Sequence, residues 1–284
     1  MISLTGLHIY PIKSCGAITL TEAEIGPLGL ALDRRWMLVD RQGCFLSQRE
    51  HALMATIGVH LDTAGQQLRV SAAGMPALHL PLSMPAVTLN VTLWDAELAA
   101  LDCGEDRHQW FSSYLGADVR LVCFDPTVTR ACNSNWCGDV AASTQFSDGF
   151  PLLVTSQASL DDLNLRLQRK GAPALPMNRF RPNLVLSGLD AYEEDYVDTL
   201  HLGEPGKEIV LRLAKPCARC TIPGIDQENG QCDPQWPHEP LDTLATYRAD
   251  ARVDGLTFGQ NAIVISGIGH LLRIGMPVQT TLNF

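Results

Sequence analysis

The 284-residue chain has no apolar run near the length of a bilayer span, and its opening, MISLTGLHIYPIK, lacks both a basic start and a long apolar stretch. Both absences point away from a membrane or secreted protein. Positive charge is short as well: 21 lysines and arginines face 31 aspartates and glutamates, a formal charge of −10. General affinity for nucleic acid or an anionic membrane surface is thereby disfavoured, and any anionic ligand must be met by a local basic pocket. A disulfide framework is also missing. Nine cysteines, an odd number, are scattered without regular spacing, as in a reducing, cytoplasmic setting. The eight histidines show no paired metal-ligand spacing, and there is neither an internal repeat nor a low-complexity tract.

What is present centres on residues 215–226, KPCARCTIPGID, where Cys217 and Cys220 sit three positions apart with Lys215 and Arg219 as near neighbours. The reactive form of cysteine is the thiolate, and a neighbouring cation favours it. Either thiol could therefore ligate a metal or act as a nucleophile. The strand-like run IVLRLAK leads into the pair, and Pro216, Pro223 and Gly224 are expected to end the ladder there. That places both cysteines on a loop at a strand end. A lone C-x-x-C is a weak signal, and a four-cysteine zinc site would need a second matching pair. Cys132 with Cys137, or Cys232, makes a poor second knuckle. A thioredoxin-like pair would open a helix, whereas Thr221-Ile222-Pro223-Gly224 follows.

The length allows one large domain or two ordinary ones. Short strands are expected over residues 4–10, 17–25, 35–40, 55–61, 67–70, 77–80, 87–93 and 119–124, bounded by Gly, Pro, Ser or Asp. Between them, Trp110, Phe111, Tyr114 and Leu115 share one face of a short helix at 106–115. Residues 125–146 are polar and irregular, and the boundary falls near them, giving domains 1–124 and 125–284. From Pro151, PLLVT reads as a buried strand and SQASLDDLNLRLQRKG as a helix. Ser156 or Ser159 caps it, Leu160, Leu163 and Leu167 line one face, and Gly171 stops it. Strands follow in NRFRPNLVLSG, before the cysteines, at 258–266 and at 278–282, with a short helix in LDTLATYR. The fold class is mainly β, a β-rich barrel with a few short helices.

Taken together, YPIKS, LDRRW, FSDGFPLLVTSQASLDDLN, FRPNLVLSG, KPCARC, HEPLDTLATYR and FGQN resemble the MOSC-domain family with its N-terminal β-barrel extension. Within it the likeness is to the mitochondrial and bacterial reductases of N-hydroxylated compounds, and it runs from about Leu4 to Val278. The resemblance implies a molybdenum cofactor, a pterin carrying a phosphate and a dithiolene, held in a cleft between the two domains, with one protein cysteine completing the metal's sulfur ligands. By position that cysteine, both metal ligand and catalytic residue, is Cys220, and Cys217 is its non-ligating neighbour. Lys13 and Ser14 in YPIKS, Arg34 in LDRRW, and Arg181 with Asn183 in FRPN fall at family cofactor contacts. Ala218, Arg219 and Asn261 fall beside the metal and pterin. Arginine suits phosphate because its planar fork donates two hydrogen bonds at once.

Singly, Lys13 is an ordinary strand-end lysine, and Arg34 and Arg181 are partners for Asp33 and a surface carboxylate; four separated motifs converging is what favours the cofactor. Asn261 stands where some relatives have Tyr, and Gly149-Phe150 where the amidoxime reducers have Thr-Ser. Contacts there are lost or made by backbone.

The implied function is reduction of a small N-hydroxylated substrate, with no nucleic acid or membrane partner. The ferredoxin-like domain that many bacterial relatives carry is not in this sequence, so electrons are expected from a separate donor of ferredoxin, flavoprotein or cytochrome type. A rival of another class is a MOSC sulfur carrier, with Cys220 holding a persulfide or a sulfurated cofactor for delivery. A third is a zinc-stabilised β module.

Overall fold

The computed structural model describes residues 1–283. Seven strands close into a barrel in the order Leu152–Ser156, Leu184–Ser187, Ile2–Ile9, Pro277–Leu282, Val197–Leu202, Ile209–Ala218 and Gly255–Ser266. The last pairs back to the first through Leu153 opposite Asn261. All pairings are antiparallel except that of Leu152–Ser156 with Leu184–Ser187. That parallel pair is joined by a crossover containing the helix Gln157–Lys170, as parallel strands require. The inside follows the period-2 rule: Ile209, Leu211 and Leu213 alternate inward with Leu200, Leu202, Leu4, Leu7 and Val154. The amino-terminal strand Ile2–Ile9 is thus a stave of a barrel otherwise made from residues beyond 150.

After that strand the chain builds a second body. A four-stranded sheet (Trp36–Val39, Arg120–Phe124, Ala96–Asp102, Thr88–Leu93) and a three-stranded sheet (Gly58–Asp62, Gln67–Ser71, Leu78–Pro81) share a core of Ile12, Trp36, Ile57, Leu68, Phe111 and Leu121. The helix Glu105–Leu115 closes this core with Trp110 and Phe111. The strand Ala96–Asp102 was not anticipated. AELAALD is made of helix formers, and its pairing with Thr88–Leu93 across a two-residue loop overrides that propensity. The front of the expected strand 55–61 is instead a 3-10 turn, Ala52–Thr56. Pro216 does not end its ladder. The strand runs on to Ala218, and bulges between Leu213 and Lys215 and between Pro216 and Ala218 absorb the missing donor. Cys217 therefore lies within the strand, and only Cys220 lies beyond it. Among the described residues no helix is long and apolar enough to cross a membrane.

The helix Gln157–Lys170 buries Leu160, Leu163 and Leu167 against Phe180 and Phe258, whose rings stack at 3.9 Å. Ser156 holds the N-cap position without a side-chain bond. The capping falls to Glu194, a fully buried carboxylate that accepts from the Ser156 backbone N–H at 3.4 Å and from the Ser159 hydroxyl at 2.8 Å on both oxygens. Burial pushes this carboxyl up to about 7, with Ser159 working in the other direction. Below its ordinary value of 4.5 both folded and unfolded chains hold the proton. Between there and about 7 only the folded chain does, so stability from this group is present at low pH and is lost as pH rises through 7. In urea titrations, Glu194→Gln should flatten the fall in stability between about pH 5 and pH 8, a difference on the order of 3 kcal/mol. An unchanged slope would show that Glu194 is ionised throughout.

Candidate active site between the two bodies

The chain leaves the barrel at Tyr10 and enters the second body through Ile12, which bridges to Trp36. Lys13 is fixed by its backbone N–H to the Trp36 carbonyl at 2.7 Å, and its buried ammonium donates to the Phe146 carbonyl at 2.9 Å and pairs with Asp148. Burial lowers the Lys13 pKa, with Asp148 acting against it. Ser14 is next, buried and at φ +66°, its carbonyl taking the Gln48 side-chain amide at 2.7 Å.

Arg34 and Arg181 come from opposite ends of the sequence and meet on Tyr10, each guanidinium carbon 4.2 Å from the ring centroid. Arg34 donates to Asp33 at 2.6 Å, to Asn183 at 2.9 Å and to the Arg181 carbonyl at 3.1 Å. Arg181 donates to the Cys15 carbonyl at 2.7 Å and to Gln227 at 3.0 Å, and burial brings its pKa down to about 10, so it stays charged at neutral pH. Burial likewise pushes the Tyr10 hydroxyl up to about 12, against the pull of Arg181 and Arg34. Both arginines sit at positive φ, +47° and +56°, a conformation uncommon outside glycine that side chains hold where surrounding contacts impose it.

Arg219 is placed by the bulged end of the last strand before the cysteine loop. It is the first residue past the strand, just beyond the bulge at Cys217, and its guanidinium folds back to donate to the Cys217 sulfur at 2.9 Å. Its other amine donates to the Phe180 carbonyl at 2.9 Å, next to Arg181, and its Nε is buried without a partner. Cys220, in the loop beyond the strand, is exposed, as is Ala218. Asn261, on the neighbouring strand, donates to the Lys215 carbonyl at 3.2 Å.

Lys13, Ser14, Arg34, Arg181 and Arg219 are thus brought to one place. Asn183 is beside them, and its polar atoms are engaged within the fold. It accepts from Arg34 and from the Leu153 N–H at 3.1 Å, and donates to the His8 carbonyl at 3.1 Å, joining three staves of the barrel. Several members of the cluster carried no individual signal. Tyr10, Asp148 and Arg179 lie inside recognisable motifs, whereas Gln48 and Gln227 could be found only by folding the chain. These two amides exchange hydrogen bonds at 3.0 Å and tie the second body to the cysteine loop. Arg179 pairs with Asp226 at 2.8 Å, and Asp226 also caps the turn at Glu228. Arg130 grips the carbonyls of Gln145, Ser147 and Asp148.

This network holds six cations (Lys13, Arg34, Arg130, Arg179, Arg181, Arg219) and three carboxylates (Asp33, Asp148, Asp226), an excess of three positive charges in a chain whose formal charge is −10. A surface depression of about 830 Å³, lined by Arg41, His108, Ser112 and Arg120 among others, shares no residue with it. Cys132 and Cys137 are buried and packed with Trp136, Phe150 and Ile263. No group of three or more metal-ligating His, Cys, Asp or Glu occurs among the described residues.

A closed seven-strand barrel with a β-rich body inserted after its amino-terminal strand, and arginines and thiols at their junction, defines the class of protein. Residues 1–118 match the MOSC N-terminal beta barrel domain and residues 141–279 the MOSC domain. Mitochondrial amidoxime-reducing component 1 of Mus musculus is 35% identical over 251 residues, covering 85% of this chain and 70% of its own. The Homo sapiens protein of that name is 34% identical over 287 residues, covering 96% and 81%. Mitochondrial amidoxime reducing component 2 of Rattus norvegicus is 33% identical over 293 residues, covering 97% and 82%. The chain belongs to this family of MOSC proteins.

Removing the Asn183 side chain should act on stability first, because it leaves the buried Leu153 N–H and the half-buried His8 carbonyl without their partner. Asn183→Ala is expected to lose about 2–4 kcal/mol in urea unfolding. A loss below about 1 kcal/mol would mean that these bonds do not tie the three strands.

Proposed function

We propose that the protein is a molybdenum-cofactor-dependent reductase of small N-hydroxylated compounds, fed with electrons by a separate donor protein of ferredoxin, flavoprotein or cytochrome type. The observation that carries this is the excess of cations gathered from motifs far apart in an acidic chain, next to an exposed thiol. The residues present fit such a group. It is anionic and rich in sulfur, and the cluster offers guanidinium forks, a guanidinium nitrogen without a partner, and soft thiol donors.

In this reading the cofactor lies in a cleft between an N-terminal domain, 1–124, and the MOSC domain, 125–284. Cys220 would hold the metal through its thiolate. Lys13, Ser14, Arg34 and Arg181 would grip the phosphate and pterin, with Arg219, the backbone at Ala218, and Asn261 beside them. Asn183 acts from the side, orienting Arg34 by accepting its Nη1. When bound, the cofactor supplies two-electron and oxygen-atom chemistry, which the protein tunes and shields. Cys217, engaged by Arg219, keeps that cation next to the loop that presents Cys220. The nine free cysteines accord with a reducing, cytoplasmic location, and the homologues' names support the substrate class.

Cys220→Ala should lose at least about a thousandfold in amidoxime reduction with an artificial donor while keeping its circular dichroism and melting temperature. Cys217→Ala should keep most of the activity. Reduction by Cys220→Ala with cofactor bound would remove the assignment, and sulfide release on mild reduction without turnover would favour the sulfur carrier.

A further inference from the structure

Trp94 occupies the first position of the two-residue loop between Thr88–Leu93 and Ala96–Asp102, at φ +56°. Glycine suits such a position; a bulky ring there is an outlier, held by its surroundings and costly to the backbone. Yet 41% of the side chain is exposed, so packing alone does not account for it. Its indole N–H donates to Asp148 Oδ1 at 3.3 Å, the carboxylate that pairs with Lys13, and its ring lies 4.8 Å from Phe45, over which the Lys13 ammonium sits at 5.6 Å. Trp94 and Phe45 are therefore a wall at the mouth of the cationic cluster. Of the eight non-glycine residues at positive φ among those described, four belong to the cluster or its rim: Ser14, Arg34, Arg181 and Trp94.

A guanidinium already rests on this wall. Arg49 places its Cζ 4.6 Å over the Trp94 ring and 6.0 Å from Phe45. An amidine presents a similar planar carbon centre, bearing two nitrogens where the guanidinium bears three, and an amidoxime or N-hydroxyguanidine keeps nearly the same plane. Such planes stack on an indole face, and a protonated amidine is drawn further by the ring quadrupole.

We propose that the Trp94–Phe45 wall is a substrate subsite, where the planar carbon–nitrogen head of an amidoxime-type ligand, or its amidine product, stacks in place of the Arg49 guanidinium. The ligand class rests on the reductase reading; the wall's chemistry does not. The enzyme should accordingly favour planar amidoximes over N-hydroxylated amines without such a plane, and Arg49 competes with the ligand.

The test is benzamidine binding, by calorimetry and tryptophan fluorescence, with benzyl alcohol as a neutral aromatic control. Arg49→Ala should bind benzamidine about threefold or more tightly, and Trp94→Gly about five- to tenfold more weakly. Trp94→Gly should also hold or raise the melting temperature, since it relieves the backbone. In turnover, its ratio of kcat/KM for benzamidoxime over N-methylhydroxylamine should fall by a similar factor. The proposal is overturned if wild type does not bind benzamidine, if both variants weaken binding, if benzyl alcohol behaves as benzamidine does, or if Trp94→Gly melts well below wild type. Benzamidine binding needs no cofactor, so this pattern without turnover would uphold the wall and remove the reductase reading. Turnover with an unchanged ratio would do the reverse.

Discussion

Two guanidinium groups resting on one buried phenol ring is the constraint from which the rest of this site follows. Tyr10 lies where the first barrel strand ends, Arg34 arrives from the second body, and Arg181 precedes a barrel strand by three residues. Holding like charges this close requires an aromatic face between them and acceptors around them. Asp33, the Cys15 and Arg181 carbonyls, and the side-chain oxygens of Asn183 and Gln227 provide those. Because these partners come from both bodies, the cluster also fixes how the bodies sit against each other.

Its chemistry is set by an imbalance. Burying cations is costly unless they are paired, and the six here have only three carboxylates among them. Backbone carbonyls make up part of the difference, yet the Nε atoms of both Arg179 and Arg219 are left without partners. Surplus positive charge and unmet donors are what the anionic group of the proposed function would meet. That the network sits beside two cysteines separates it from an ordinary phosphate site.

Much of the architecture could be read from the chain. The long helix with its leucine face and Gly171 stop, the helix at 105–115, and most strands follow their periodicities. The strand Ala96–Asp102 was hidden because alanine, leucine and glutamate favour helices and only pairing makes them a strand. Pro216 misled for a related reason: local rules read it as a stop, whereas bulges carry the ladder past it. At the site, motif residues were legible, and Lys13, Arg34, Arg181 and Arg219 do converge. Their partners were not legible. Gln48 and Gln227 are 179 positions apart, and nothing local in either marks the other. The Arg219–Cys217 pairing depends on the bulge at Cys217 and on the strand ending one residue before Arg219, neither of which local rules reveal.

The central claim is that this cluster exists to hold an anionic molybdenum–pterin group. It is tested most directly by molybdenum and oxidised-pterin content in protein from a cofactor-producing host, comparing wild type with the Arg34→Gln, Arg181→Gln double variant. Near-stoichiometric metal and pterin in wild type, and little of either in a folded double variant, is the predicted result. Wild-type protein free of both, or a double variant as fully loaded as wild type, would contradict it.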